Sequence, residues 1–228
     1  MNAGRTARER ARAELTEEIK TAAREQLSTV GAEALSLRAI SRELGMVSSA
    51  LYRYFASRDE LLTALIIDAY DALGAAAEGA ATGGDPVDEW VAIYAAVRDW
   101  ARANPQEYAL IYGSPISGYK APQTTVQPAI RVPLLLLGLL RRAHASGHLT
   151  APPDAPAPTG VLGDQLGVLV ELAPEVPRPV LLRTVIVWTQ LFGMISFELF
   201  GQLVGSMDPA DEFFTSASRQ MAAFVGLS

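Results

Sequence analysis

Apolar residues recur at three- and four-residue spacing in nearly every segment of this 228-residue chain, and few segments alternate as strands do. That pattern confines the fold to helices packed on helices. Leu15, Ile19, Ala22, Ala23, Leu27 and Val30 share one face of a first helix, which Gly31 stops. Ser36 is placed to cap a short second helix, with Leu37, Ile40 and Leu44 inward and Gly45 at its end. A third short helix turns Leu51 and Phe55 inward. Ser57-Arg58-Asp59-Glu60 reads as a capping box that opens a fourth helix along Leu61, Leu65, Ala69 and Leu73.

Gly83-Gly84 breaks the chain, and Asp85-Pro86 restarts it as an N-cap followed by proline at the first helical position. The helix passes Trp90, Tyr94, Val97 and Ala101 and ends at Asn104-Pro105. A short piece carries Tyr108 and Tyr112, and residues 113–123 read as a loop. A helix over about 126–146 contains Pro133, which predicts a kink or a late start. Residues 147–158 are proline-rich and predict a surface connection. Helices over 160–173, 179–205 and 210–225 complete an all-α chain, with an N-terminal arm and three-helix head over 1–56 and a larger helical domain over 57–228.

Half of the residues are hydrophobic, enough for a substantial core. There is no cysteine, so disulfides, thiolate zinc sites and cysteine nucleophiles are excluded. The polar N-terminus has no apolar stretch before a cleavage site, so no signal peptide is expected and the expected location is the cytoplasm. The net charge of −6 is unevenly spread: residues 1–63 sum to +1 and the remainder to −7. Four arginines and one glutamate stand within the first twelve residues. A basic arm on a near-neutral head fits local phosphate binding, and equally fits an ordinary acidic protein with a basic end.

The stretch Ser36–Leu62 is the most informative. It reads as two short helices around a tight turn at Gly45-Met46-Val47. With Leu51 and Phe55 inward, Ser48, Ser49, Tyr52 and Arg53 turn outward, and Tyr54 lies at the edge of that face. Hydroxyl, phenol and guanidinium groups bond phosphates and base edges, and one helix fits the major groove. A solvated face on a scaffold is the alternative.

Gly45, Leu51-Tyr52-x-Tyr54-Phe55 and Ser57-Arg58-x-x-Leu61 together resemble the TetR family of bacterial regulators, over about residues 12–62 with the first helix included. The resemblance implies a DNA-binding head made by the first three helices. It implies that Ser48, Ser49, Ala50 and Arg53 approach base edges or nearby backbone, and that Tyr52, Tyr54 and Arg58 hold phosphates. Ser36 and Arg38 match positions that clamp the phosphate backbone. Val47 departs from the family, which usually has a capping residue there. Valine cannot cap, so Ser48 is expected to take the cap and shift the helix start by one residue. Arg53 is then the one cation on the outward face and the candidate for guanine readout.

Residues 179–205 are apolar around most of the helix, with Arg183, Gln190, Glu198 and Gln202 in a narrow stripe. Arg183 and Glu198 stand too close together to leave the ~20 apolar residues that a membrane span needs. Burial on two sides remains, one side facing a partner subunit. Gly193, Gly201 and Gly205 would allow close helix approach. The family resemblance implies an isologous homodimer through the last two long helices, with Gly193, Phe197, Gly201, Phe213 and Met221 as interface candidates. A wholly internal helix is the alternative. Trp188-x-x-x-Phe192-Gly193 also resembles a TetR subgroup marked by a tryptophan, histidine, glycine signature, with Phe192 in place of histidine.

Trp90, Tyr94, Tyr108, Tyr112, Trp188 and Phe192 are the candidates for a pocket that takes a small hydrophobic or aromatic effector, against the alternative of ordinary core aromatics. His144 and His148 lack a third metal ligand nearby, and no serine elbow or phosphate loop is present, so neither a metal, a cofactor nor an enzyme is expected. The sequence thus reads as a cytoplasmic, ligand-responsive regulator of a double-stranded operator, with repression as the expected sign. A small-molecule binder that no longer docks on DNA is the rival that Val47 supports.

Overall fold

The structure is a computed structural model and describes residues 6–151, 153 and 155–228; Arg5 of the basic segment lies outside them. In chain order the helices are α1 (Ala7–Val30), α2 (Leu37–Glu43), α3 (Ser48–Leu51), α4 (Arg58–Gly79), α5 (Pro86–Ala103), α6 (Pro105–Tyr112), α7 (Val126–Ala129), α8 (Arg131–Ala145), α9 (Gly160–Gln165), α10 (Gly167–Leu172), α11 (Arg178–Leu199) and α12 (Asp211–Val225). The chain is all-α, and it divides into two compact units inside α4 rather than after residue 56. One unit ends at Tyr70 and takes in Asn104–Val126; the other comprises Asp71–Ala103 and Gln127–Ser228.

In the first unit, Ile19, Ala22, Ala23 and Leu27 of α1 close on Leu37 and Ile40 of α2, Leu51 of α3, Phe55, and Leu61, Leu62 and Leu65 of α4. The expected inward faces therefore meet, except at Val30, which is exposed where α1 runs out. Helix α1 starts earlier than the apolar spacing suggests. Thr6 and Glu9 form a reciprocal capping box, which satisfies amide donors at the new end. The box at Ser57 is displaced: Ser57 Oγ accepts from the Glu60 amide, but the Glu60 carboxylate accepts from Ala56 rather than from Ser57.

In the second unit, α5 packs on α8, α11 and α12, and α11 also packs on α8, α10 and α12. Asp85 caps α5 by accepting from the Val87 and Asp88 amides, as expected. Pro133 delays the next helix: α7 ends at Ala129, four residues before the ring, and α8 starts at Arg131. The segment from Gly147 is not all surface connection, because Leu149 pairs antiparallel with Leu227 at the C-terminus. The helix expected over 160–173 is interrupted at Leu166.

Helix α11 stops at Leu199, six residues short of the expectation. Gly201 adopts φ +81°, and the Gln202 amide donates to the Phe197 carbonyl, the six-to-one closure of a glycine-terminated helix. Gly201 and Gly205 are therefore turn residues, and of the three glycines only Gly193 lies within the helix. By length and composition α11 could cross a membrane, yet Val180, Leu181, Thr184, Val187, Leu191 and Ile195 are buried in the second unit.

Candidate nucleic-acid interface and aromatic core

Gly45 makes the sharp turn between α2 and α3. Its φ is +64°, and the Met46 amide donates to the Ser41 carbonyl at 2.8 Å. Val47 follows with extended backbone and an exposed side chain, and α3 starts at Ser48. The expected shift of the helix start is thus overturned. An N-cap needs extended backbone, which Val47 supplies; the side-chain capping bond is simply absent. The Ser48 hydroxyl is engaged elsewhere, 3.0 Å from Ser41 Oγ, and ties α3 to α2.

The expected third helix is shorter than its apolar spacing suggests: α3 ends at Leu51, and residues 52–54 form a turn, but Leu51 and Phe55 are both buried and fix the opposite side of this segment outward. Ser49, Tyr52 and Arg53 are exposed there, and Ala50 is half-buried. Tyr54 is half-buried and carries the Arg12 guanidinium 5.1 Å above its ring. Arg12 also donates to the Arg53 carbonyl at 3.2 Å, so α1 braces the end of this turn. On α2, Ser36 is the N-cap and Arg38 is exposed, with Arg42 exposed one turn later on the same side.

Arg58 sits differently from the exposed arginines. Its Nη2 donates to the Ala32 carbonyl at 2.7 Å and to the Glu33 carbonyl at 3.2 Å, which holds the 3₁₀ turn Ala32–Ala34 that precedes α2. The sequence thus identified Arg38, Ser49, Tyr52 and Arg53 as surface groups, but missed Arg12 and Arg42. The spacing of Arg38 and Arg42 signals a shared face; the Arg12 contact spans 41 residues and has no local signal.

The six effector candidates do not gather in one unit. Tyr108 and Tyr112 lie in the first, with ring centroids 5.3 Å apart, and Tyr70 meets Tyr112 edge-on at 6.0 Å. Burial pushes the Tyr70 and Tyr112 hydroxyl pKa values up, so both stay protonated. Trp90, Tyr94, Trp188 and Phe192 lie in the second unit. Trp90 stacks on Tyr94 at 4.9 Å, and the Tyr94 hydroxyl donates to the Val187 carbonyl at 3.0 Å. Burial raises the Tyr94 pKa as well. Trp188 meets Phe192 edge-on at 6.4 Å.

Of the interface candidates, Phe197 is exposed near the end of α11, Gly201 is exposed in the turn beyond, and Gly193, Phe213 and Met221 are half-buried. Ile186, Val204 and Met207 are exposed apolar side chains of the same region. Beneath it, Arg98 of α5 makes two 2.7 Å bonds to Glu198 of α11 and one of 2.9 Å to Asp211 of α12, with Phe214 packed on its face. His144 and His148 share a helix end, but His148 Nδ1 lies 3.0 Å from Ser146 Oγ. No cluster of three metal-ligating side chains occurs among the described residues.

Comparison with known proteins agrees with this architecture. A family model described as bacterial regulatory proteins of the tetR family matches residues 19–65, and one described as the tetracyclin repressor-like C-terminal domain matches residues 90–221. HTH-type transcriptional regulators of Mycobacterium bovis and Mycobacterium tuberculosis are each 40% identical over 211 residues, covering 89% of both chains. The crystal structure of a regulatory protein, SCO4313, superposes with a TM-score of 0.76 at 35% identity, covering 96% of this chain and 100% of that one. The helix-turn-helix head, the helical second unit and these matches place the chain in the TetR family of transcriptional regulators.

Proposed function

We propose that this regulator is a homodimeric repressor whose two heads occupy successive major-groove faces of a near-palindromic operator, and which a small, largely apolar effector releases. The observation that carries the docking is the exposed row Ser49, Tyr52 and Arg53, held outward by buried Leu51. Arg53 reads a guanine edge, since its guanidinium forks onto O6 and N7. Arg38, Tyr52 and Ser36 hold phosphates, and exposed Arg42 adds a further cation to that side. Ser48 and Arg58 act indirectly: Ser48 fixes α3 on α2, and Arg58 sets the turn that positions Ser36 and Arg38.

The exposed apolar side chains Ile186, Phe197, Val204 and Met207 support a partner subunit against α11 and the turn beyond it, with α12 contributing Phe213 and Met221. A two-fold dimer spaces its recognition helices about 34–36 Å apart, one turn of the duplex. The Trp90–Tyr94 and Trp188–Phe192 pairs support an aromatic effector core in the second unit. Effector binding favours a dimer whose heads no longer match the groove spacing, which releases the operator. Phe192 is buried beside Trp188, so an apolar ring replaces the histidine of the tryptophan, histidine, glycine signature in this reading of the subgroup. The regulator acts in the cytoplasm, where its operator and effector meet.

A gel shift of the full chain on its own upstream region, titrated with salt, tests the proposal. The expected result is sequence-specific binding by a dimer, with affinity falling steeply as salt rises. Weak binding that ignores sequence overturns it.

A further inference from the structure

Buried donors in folded proteins nearly always find an acceptor. Among the described residues, four buried side-chain nitrogens have none, and three belong to the second unit: Trp90 Nε1, His144 Nδ1 and Trp188 Nε1. They stand on α5, α8 and α11, which pack on one another. Trp90 is wholly buried. Its neighbour Tyr94 does not serve it: the two rings are stacked, and the indole nitrogen meets no acceptor. The bond from the Tyr94 hydroxyl to the Val187 carbonyl seats the Trp90–Tyr94 stack against the turn of α11 that bears Trp188. Phe192, edge-on to Trp188, brings a ring and no acceptor.

From this unmatched set we infer that the effector is an acceptor-bearing aromatic molecule, such as an aryl ketone, whose oxygen takes the indole N–H of Trp90 and of Trp188. The inference rests on the effector core proposed above and narrows its ligand class. A purely hydrocarbon ligand would bury both donors without a partner. An acceptor oxygen removes that penalty, and an indole nitrogen offers only a donor. Sites built to pair such a group discriminate strongly against the analogue that lacks it. His144 Nδ1 is the third unmatched group of this helix triad, as donor or acceptor according to its tautomer.

Acetophenone and α-methylstyrene test the inference, since they share a shape and differ in C=O against C=CH₂. Indole N–H resonances of the isotopically labelled full chain, assigned with Trp90→Phe, Trp100→Phe and Trp188→Phe, report on each donor. Acetophenone is expected to move the Trp90 and Trp188 resonances downfield and to bind about tenfold more tightly than α-methylstyrene. The preference should fall to near parity in Trp90→Phe, whose shape is close enough to keep the fold. Equal affinity for the two probes overturns the inference. So does an absence of any shift at saturating acetophenone, or indole resonances already downfield without probe, which would reveal bridging water. A gel shift on the same samples separates the two proposals. Operator release by α-methylstyrene without an indole shift keeps the repressor and sinks the acceptor. Indole shifts in a chain that ignores its operator do the reverse.

Discussion

Arg53 in the first unit and Arg98 in the second carry the same guanidinium in opposite settings. Arg98 is almost wholly buried; three of its nitrogens donate to Glu198 and Asp211, and its face lies on Phe214. Arg53 is exposed in the turn just beyond α3, and its side chain meets no carboxylate among the described residues. Arg131 follows Arg98, with four bonds to Asp71 and Glu78 that pin α8 to the later part of α4. Arg38 and Arg42 follow Arg53. At Arg98 and Arg131 the guanidinium is cement, and its charge is consumed within the fold. On the face of α2 and α3 it is left open, the condition for meeting an outside anion. Net charge alone hides this difference, because what matters is which cations are already neutralised.

The contrast can be broken most forcefully at Arg98. Arg98→Ala should cost the second unit about 3 kcal/mol or more in denaturant unfolding, because it strands the mostly buried Glu198. Arg98→Met on a Glu198→Gln background should recover much of that loss; a loss of under about 0.5 kcal/mol for Arg98→Ala would put Arg98 among the surface arginines. Next in size is Ser48→Ala, which removes the bond to Ser41. It should destabilise the head by about 1 kcal/mol and leave the ratio of operator to scrambled-duplex affinity unchanged. A collapsed ratio in a stably folded variant would restore Ser48 to base readout.

Tyr52→Phe should weaken operator and scrambled duplex alike, by roughly 1 kcal/mol or less, as expected for a phosphate contact without sequence information. Loss confined to the operator would make Tyr52 a reader of bases. The smallest effect concerns pH. The Arg98 hydrogen bond holds Asp211 below its ordinary range, so its folded-state pKa is depressed. The contribution of Asp211 to stability is therefore complete above its unfolded value near pH ~4 and is lost as pH falls through the lower folded value. Unfolding curves of wild type and Asp211→Asn should differ at neutral pH and converge in acid. A difference that grows in acid would contradict the assignment.

Much of the fold was legible because short-range chemistry decides it. Ser36 capping α2, Gly45 turning out of it, Asp85-Pro86 opening α5 and Pro133 delaying α8 are each settled within four residues. The end of α11 was not legible, since Phe200, Leu203 and Val204 continue an apolar pattern past Gly201. A glycine within such a run reads as helix until its backbone turns left-handed. At the candidate interface, the outward side of the segment at α3 followed from Leu51 and Phe55 alone. The roles of Ser48 and Arg12 did not, for they depend on how separate helices meet: Ser48 reaches a serine on α2, and Arg12 a carbonyl 41 residues away. The aromatic candidates were readable as residue types, but their division between two units is a property of packing and not of spacing.

The central claim is that the open arginine just beyond α3 meets DNA while the paired arginines of the second unit do not. Its most direct test measures Arg53→Ala beside Arg219→Ala, which removes an equal charge from an exposed position on α12. Binding to matched and scrambled operator duplexes is compared at one salt concentration. Arg53→Ala should lose about tenfold or more on the matched operator and flatten the preference over scrambled DNA, and Arg219→Ala should stay within about twofold of wild type. Equal losses for the two variants, or an undiminished preference in Arg53→Ala, would contradict the account.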